Sequence, residues 1–267
     1  MKRSSGVRLC ATVAVSALSL VLVTGCSEGA SEGSGGLGAD KVNNADKPAV
    51  KALSAAELKK LIVAKGDVSG YKIKPVTGGT PPKSAVKAAD AQCGPLLQIM
   101  TGIAPGDAPA ETNIMVQQDK KDPTDDATSM GDMASGKFEA AIKESMNLDV
   151  TVVTLSSYDG DGAEKTLRTV SDAVKACAGG FKGDQAGDKA SITKVAEEKG
   201  PDAGDASVAF AVTSDLGDGD TGAEHVVVER HGNTLASYTT RNIGAMMAGK
   251  AYGVPAPVVK AQAAKLK

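Results

Sequence analysis

Alternation of apolar and polar positions dominates the last third of the chain. In residues 206–213, Val208, Phe210 and Val212 alternate with small residues, which predicts a strand with one buried face. Residues 224–230 and 234–240 flank Gly232-Asn233, a tight-turn pair, so three consecutive antiparallel strands are expected. The Gly/Asp-rich run 215–224 reads as the loop between the first two. Upstream, 148–155 is mostly β-branched and 112–118 sets Ile114 and Val116 opposite Met115 and Gln117, so both are predicted strands. Residues 71–76 read as extended, and 190–196, with Ile192 and Val195 in a polar run, as a further strand.

A helical period appears between these runs. Ser54 followed by Glu57 is a capping-box pattern, and Leu58, Leu61 and Ile62 form one stripe, predicting a helix over 54–64. Residues 85–100 read as helical in two parts, divided at Pro95. Residues 136–147 and 163–178 follow. The second has Leu167, Val170, Val174 and Cys177 on one stripe, Asp161 and Glu164 as its capping pair, and Gly179-Gly180 as its stop. Val258, Val259, Gln262, Ala263 and Leu266 predict a last amphipathic helix over 255–267. Short-connected strands with helices clustered between them indicate an α+β fold: a twisted antiparallel β-sheet packed with several amphipathic helices. Strand and long helix do not alternate as a doubly wound sheet requires.

The first 25 residues have a different pattern. Lys2, Arg3 and Arg8 precede an almost wholly apolar run over 9–23, too short for a comfortable membrane span, which ends in Val23-Thr24-Gly25-Cys26. This resembles a bacterial lipobox. It implies cleavage before Cys26, a diacylglyceryl thioether on the thiol and acylation, such as palmitate, of the new N-terminus. The expected organisation is a signal peptide over 1–25, a lipidated flexible tether over 26–51 and one α+β domain over 52–267. Residues 27–46 are Gly, Ser, Ala, Glu and Asp with scattered Lys, too few apolar groups to offset the entropy of ordering. About twenty such residues have a root-mean-square reach of roughly 25 Å. The expected location is the extracytoplasmic face of the cell membrane, held by lipid.

Charge narrows the partners. The whole chain carries a formal −2, and loss of Lys2, Arg3 and Arg8 makes the mature protein more acidic. No nucleic-acid partner is expected. Aromatic residues make up 3% of the chain and Trp is absent, so the core must be built from aliphatic side chains.

With Cys10 removed and Cys26 modified, Cys93 and Cys177 remain. Each lies on an apolar helical face, and the compartment is oxidising, so a Cys93–Cys177 disulfide is the leading reading. Two buried free thiols are its rival. A Cys-x-x-Cys redox pair is absent. The acids over 119–132 and Asp218-Gly219-Asp220 lack the ordered oxygen ladder of a calcium loop. His225 and His231 have no Cys or acid at zinc-ligand spacing, and His231 is expected to be exposed at the hairpin tip. No phosphate loop occurs; the Gly-x-Ser-x-Gly spacings at 25–29 and 29–33 fall in the leader and tether, and the Ser-x-x-Lys spacings at 69–72, 84–87 and 191–194 have no partner motif with them. The sequence therefore selects no catalytic, cofactor-binding or metal-binding residue, and binding is favoured over turnover. The readings from different classes are a ligand- or partner-binding envelope lipoprotein, a non-catalytic structural envelope protein, and a small-molecule or lipid carrier.

The order of several features resembles the extracellular sensor domain of the mycobacterial receptor kinase PknH and related actinobacterial lipoproteins. The resemblance lies in 58–71 with Gly70-Tyr71, Cys93-Gly94-Pro95, the run from Val152 through Tyr158 to Cys177-Ala178-Gly179-Gly180-Phe181, valines 226–228, Arg230, Gly232-Asn233, Gln262 and Lys265. It spans about residues 53–267. It implies a twisted antiparallel sheet with helices and an open cleft for an unknown extracellular ligand, lined near 152–156 and 208–212. The kinase sensor has two disulfides, whereas this chain has cysteines for one. No kinase domain is present, so any signal would pass through a partner.

Overall fold

The computed structural model describes residues 50–120, 129–131, 135–201 and 203–267. Cys26, the signal-peptide run, nearly all of the expected tether and most of the acidic 119–132 run lie outside them. Residues Asp46–Lys267 form one compact unit.

The valines 226–228 show how this unit is built. Val226 and Val228 belong to one hydrophobic core and Val227 to another. The same division separates Phe210 from Ala209 and Leu235 from Ala236. Successive side chains on a strand point to opposite faces, so these strands form the middle layer between two cores. The sheet has nine strands in the order β1-β3-β4-β9-β8-β7-β6-β5-β2. They are β1 Tyr71–Lys74, β2 Val86–Ala88, β3 Ala110–Gln118, β4 Val150–Ser157, β5 Phe181–Gln185, β6 Asp188–Glu197, β7 Ala206–Gly217, β8 Asp220–His231 and β9 Thr234–Arg241. Every neighbouring pair is antiparallel. The fold is α+β, with a large twisted antiparallel sheet carrying helices on both faces.

On the first face lie α2, Gly94–Met100, and α4, Gly162–Ala176. They bury Leu96, Ile99, Leu167, Val170 and Val174 against Phe210, Val212, Val226, Val228 and Leu235. Cys93 and Cys177 form a disulfide within this core, with Cα atoms 6.0 Å apart. It joins the entry to α2 to the end of α4. On the second face lie α1, Ala55–Leu61, and α6, Ala256–Lys265. Leu58, Val258 and Val259 pack there with Val116, Val153, Leu155, Val227 and Tyr238. The Ser54–Glu57 capping box forms as its spacing predicts. Between α1 and α6, Gln262 accepts from Val63 N and donates to Leu61 O, both at 2.9 Å. Two short helices, α3 Lys137–Ser145 and α5 Ile243–Met247, meet beside one end of β9.

Several expectations need correction. Residues 86–88 are not helical. They form edge strand β2, because Val86 drops into the first core while its backbone pairs with β5. β5 itself reads poorly because Gly183 interrupts it, yet Gly183 is where Leu97 of α2 comes closest: an added Cβ would lie 2.6 Å from Leu97 Cδ2. The run 215–224 is mostly strand. β7 and β8 continue to a two-residue turn, Asp218-Gly219, both at positive φ, as a primed hairpin turn requires. Asp161 makes no side-chain cap to α4 and pairs instead with Lys165 at 2.8 Å. β7 is covered on both faces at its centre, because Ala209 is small enough for Gly200 to lie against it.

Candidate functional site

The helices of the first face cover the sheet unevenly. α2 and α4 fill the apolar half, made by β6, β7 and β8. Toward β3, β4 and β9 the same face carries Asn113, Met115, Val150, Val152, Thr154, Ser237, Thr239 and Arg241, as the strand register places them. Hydroxyls tie this part to the end of α2. Thr239 Oγ1 donates to Ile99 O at 3.1 Å, and Thr154 Oγ1 donates to Gly102 O at 3.0 Å. Gly102 adopts φ +77°, and an added Cβ would lie 3.1 Å from Val152 Cγ1, so this turn comes down almost onto the sheet.

Beyond that contact the sheet is open. A cleft of about 810 Å³ has Met115, Val150, Val152, Thr239 and Arg241 on its floor. Its walls are the 76–82 loop with Gly78-Gly79 and Pro81-Pro82, the α2 end at Met100-Thr101, and the β5–β6 turn at Gln185, Ala186 and Asp188. Gln185 Nε2 donates to Thr101 Oγ1 at 3.0 Å, which ties that turn to α2. A second hollow of about 420 Å³ adjoins the cleft and shares Met100, Gln185 and Arg241 with it. Its wall is more apolar, with Ile192, Leu216, Ala223, Ile243 and Met246.

Arg241 lies where the two hollows meet. One guanidinium nitrogen, Nη2, is 2.7 Å from Glu224 Oε1, and about half of the arginine side chain remains exposed. Glu224 is the more buried partner at 13% side-chain exposure, and its Oε2 has no hydrogen-bond partner. Burial pushes the Glu224 carboxyl above the ordinary carboxylate range, against the pull of Arg241.

The expected lining is recovered in part. Val152 lines the cleft, but Ser156 does not: its hydroxyl meets Tyr158 OH, which donates to Pro105 O. Burial raises the Tyr158 phenol to about 12. Val212 and Phe210 lie in the first core and Val208 packs at its margin, away from the cleft.

Two other polar clusters occur. His225 Nδ1 is 2.8 Å from Glu198 Oε2, and its ring stands edge-on to Tyr252 at 4.6 Å, beside a hollow of about 360 Å³. That hollow has no Ser, Thr or Cys in its lining, and the one hydroxyl there, Tyr252 OH, donates to Ala223 O. His231 is not exposed as expected. Its side chain is 8% exposed and its Nε2 lies 3.5 Å from Glu229 Oε2. The regular β8–β9 register turns His225, Val227, Glu229 and His231 to the second face, under the loop before β7, where Ala203 N donates to Glu229 Oε1. Burial and the nearby Glu229 carboxylate raise the Tyr238 phenol well above its ordinary value. No group of three or more His, Cys, Asp or Glu placed to hold a metal occurs among the described residues.

The sequence reading missed Arg241 and Glu224. Their signal was in the hairpin. Counting outward from Gly232-Asn233 reaches His225 opposite Thr240, and one further step sets Glu224 beside Arg241.

No family model and no curated protein matches the chain. Among solved structures it is similar to the crystal structure of the extracellular domain of PknH from Mycobacterium tuberculosis. The match has 12% identity and a TM-score of 0.45, and covers 81% of this chain and 95% of that one. At that distance no residue's role passes from one chain to the other.

Proposed function

We propose that this chain is an extracytoplasmic lipoprotein, anchored through Cys26, whose folded unit binds a ligand in the cleft on the open half of the first sheet face. The observation that carries this reading is the cleft itself. A sheet face left bare by its helices is walled by the 76–82 loop, the end of α2 and the β5–β6 turn, and floored by Thr239, Arg241 and aliphatic side chains. Concave sites with a mostly apolar lining and a few placed polar groups are the usual form of small-molecule sites. The Cys93–Cys177 disulfide supports an oxidising compartment. No helix among the described residues is long and apolar enough to cross a membrane, so the membrane association in this reading comes from lipid at Cys26. Binding is favoured over turnover because the His225–Glu198 pair has no Ser, Thr or Cys in its hollow, the Tyr252 hydroxyl beside it is held on Ala223 O, and the cleft lining has no His or Cys.

The test is native mass spectrometry of the Asp46–Lys267 unit before and after incubation with envelope extract. A one-to-one adduct that raises thermal stability supports the reading through linkage. No adduct, together with no stabilisation and no captured partner, leaves a structural envelope role instead.

A further inference from the structure

We propose that the two joined hollows bind a single-chain amphiphile with an aliphatic tail and an anionic head, a phosphate monoester being the simplest case. The inference rests on the binding reading and names its ligand class.

Each part of that ligand answers an observation. The smaller hollow has an apolar side, with Lys189, Ser191, Ser214 and Asp215 elsewhere in its lining. Leu216 and Ile243, at 64% and 56% exposure, leave apolar surface in water beside Met246 and Ile192. An alkyl chain laid along them would remove that surface from water. At the junction, Arg241 uses one nitrogen on Glu224 and turns the rest of a half-exposed guanidinium toward open space, where a planar fork of donors suits a phosphate or carboxylate. Glu224 Oε2 is buried out of a ligand's reach, so Arg241 alone meets the head. The head's oxyanion accepts from the guanidinium nitrogens that Glu224 leaves free. The larger hollow, walled by glycines, threonines and prolines, has room for a substituent on the head.

The test is isothermal titration of the Asp46–Lys267 unit with dodecyl phosphate, laurate, dodecanol and inorganic phosphate, all below micellar concentrations. The expected result is one saturable site that takes dodecyl phosphate and laurate, with dodecanol at least about tenfold weaker, one charge-assisted hydrogen bond being worth that factor, and inorganic phosphate at least about tenfold weaker for want of the buried methylenes. Leu216→Asn, at an exposed position near the end of β7, should keep the fold, weaken dodecyl phosphate and laurate, and leave inorganic phosphate unchanged. Arg241→Ala should be made with Glu224→Gln so that no buried charge is stranded, and should remove the preference for dodecyl phosphate over dodecanol. Equal affinity for dodecanol and dodecyl phosphate overturns the inference. So does unchanged binding in both variants, or uptake of many detergent molecules without a discrete site. An envelope adduct of another chemical class, with no dodecyl phosphate binding, overturns the ligand class alone and leaves the binding reading standing.

Discussion

Removing the Cys93–Cys177 bond tests how the cleft is held together. The two cysteines are 84 residues apart in sequence, and both are buried at 2% exposure in the first core. The chain-entropy account of a loop that long gives about 4.5 kcal/mol of stabilisation, by restricting the unfolded chain. Replacing both cysteines by alanine also loses two buried sulfurs, which adds about 1 kcal/mol each at most if the core does not close over them. The expected loss for Cys93→Ala with Cys177→Ala is therefore about 4.5–6.5 kcal/mol. That is a large share of the roughly 5–15 kcal/mol that keeps a domain folded. The assay is equilibrium urea unfolding of the Asp46–Lys267 unit, oxidised and as the double variant, followed by circular dichroism. The variant's denatured chain is free to expand, so its urea dependence should steepen as its midpoint falls. The bond ties the start of α2 to the end of α4, and the far end of α2, Met100-Thr101, is a wall of the cleft. Exchange of the amides around Met100-Thr101 should therefore quicken more than that of β9. A loss below about 1 kcal/mol with unchanged urea dependence would refute the entropic argument. Unaltered exchange around α2 would separate the bond from the cleft.

Three further outcomes follow from single side chains. Gln262→Leu strips the buried Val63 amide and Leu61 carbonyl of their partners, and should cost about 2–3 kcal/mol in urea unfolding while leaving the first core intact; a neutral result would mean that water replaces the amide. Glu224 has a raised folded-state pKa, so the folded chain holds that proton more tightly than the unfolded chain does. Its contribution is then most favourable below the ordinary carboxylate range and is lost as pH rises through the raised value. Glu224→Gln should accordingly gain stability relative to the parent as pH rises from 4 to 7, and a difference that shrinks over that range would contradict the burial argument. Cys26→Ser should release the chain from lipid-dependent membrane association, and the intact mass of the parent should begin at an acylated cysteine; a mature chain that is cut elsewhere and carries no lipid would remove the anchor from the reading.

Much of the fold was legible because its signals are local. The β7–β8–β9 meander follows from alternation and from Gly232-Asn233, and the α1 cap from Ser54 and Glu57. The illegible parts depend on partners far away in sequence. β2 has three residues whose only strand-forming reason is β5, about a hundred residues later. The Gly/Asp run at 215–222 looked like a loop because glycine and aspartate are poor strand formers. It remains in the ladder because each strand carries the other as far as the Asp218-Gly219 turn. Asp161 had the right spacing for a cap, but spacing alone does not set its backbone angles: at φ −94° and ψ 12° its side chain is not aimed at the first helical amides.

The site was less legible than the fold, for a reason contained in β9. Thr234–Thr240 is buried throughout, yet its residues toward the first face change character along the strand. Leu235 meets the apolar core under α2 and α4. Ser237 donates to Thr154 O at 3.5 Å, Thr239 holds Ile99 O, and Arg241 reaches open space. Hydroxyls in the middle of a sheet cannot form the dry layer that a covering helix needs, but they can fix the end of a helix that stops above them. α2 stops there, and Gly102 turns its chain down onto Val152. The cleft begins where that cover ends. In sequence, Ser237, Thr239 and Arg241 are ordinary alternate residues of a strand. They become a site only because the cover over Leu235 does not extend over Arg241, and that depends on the length of α2 as much as on β9.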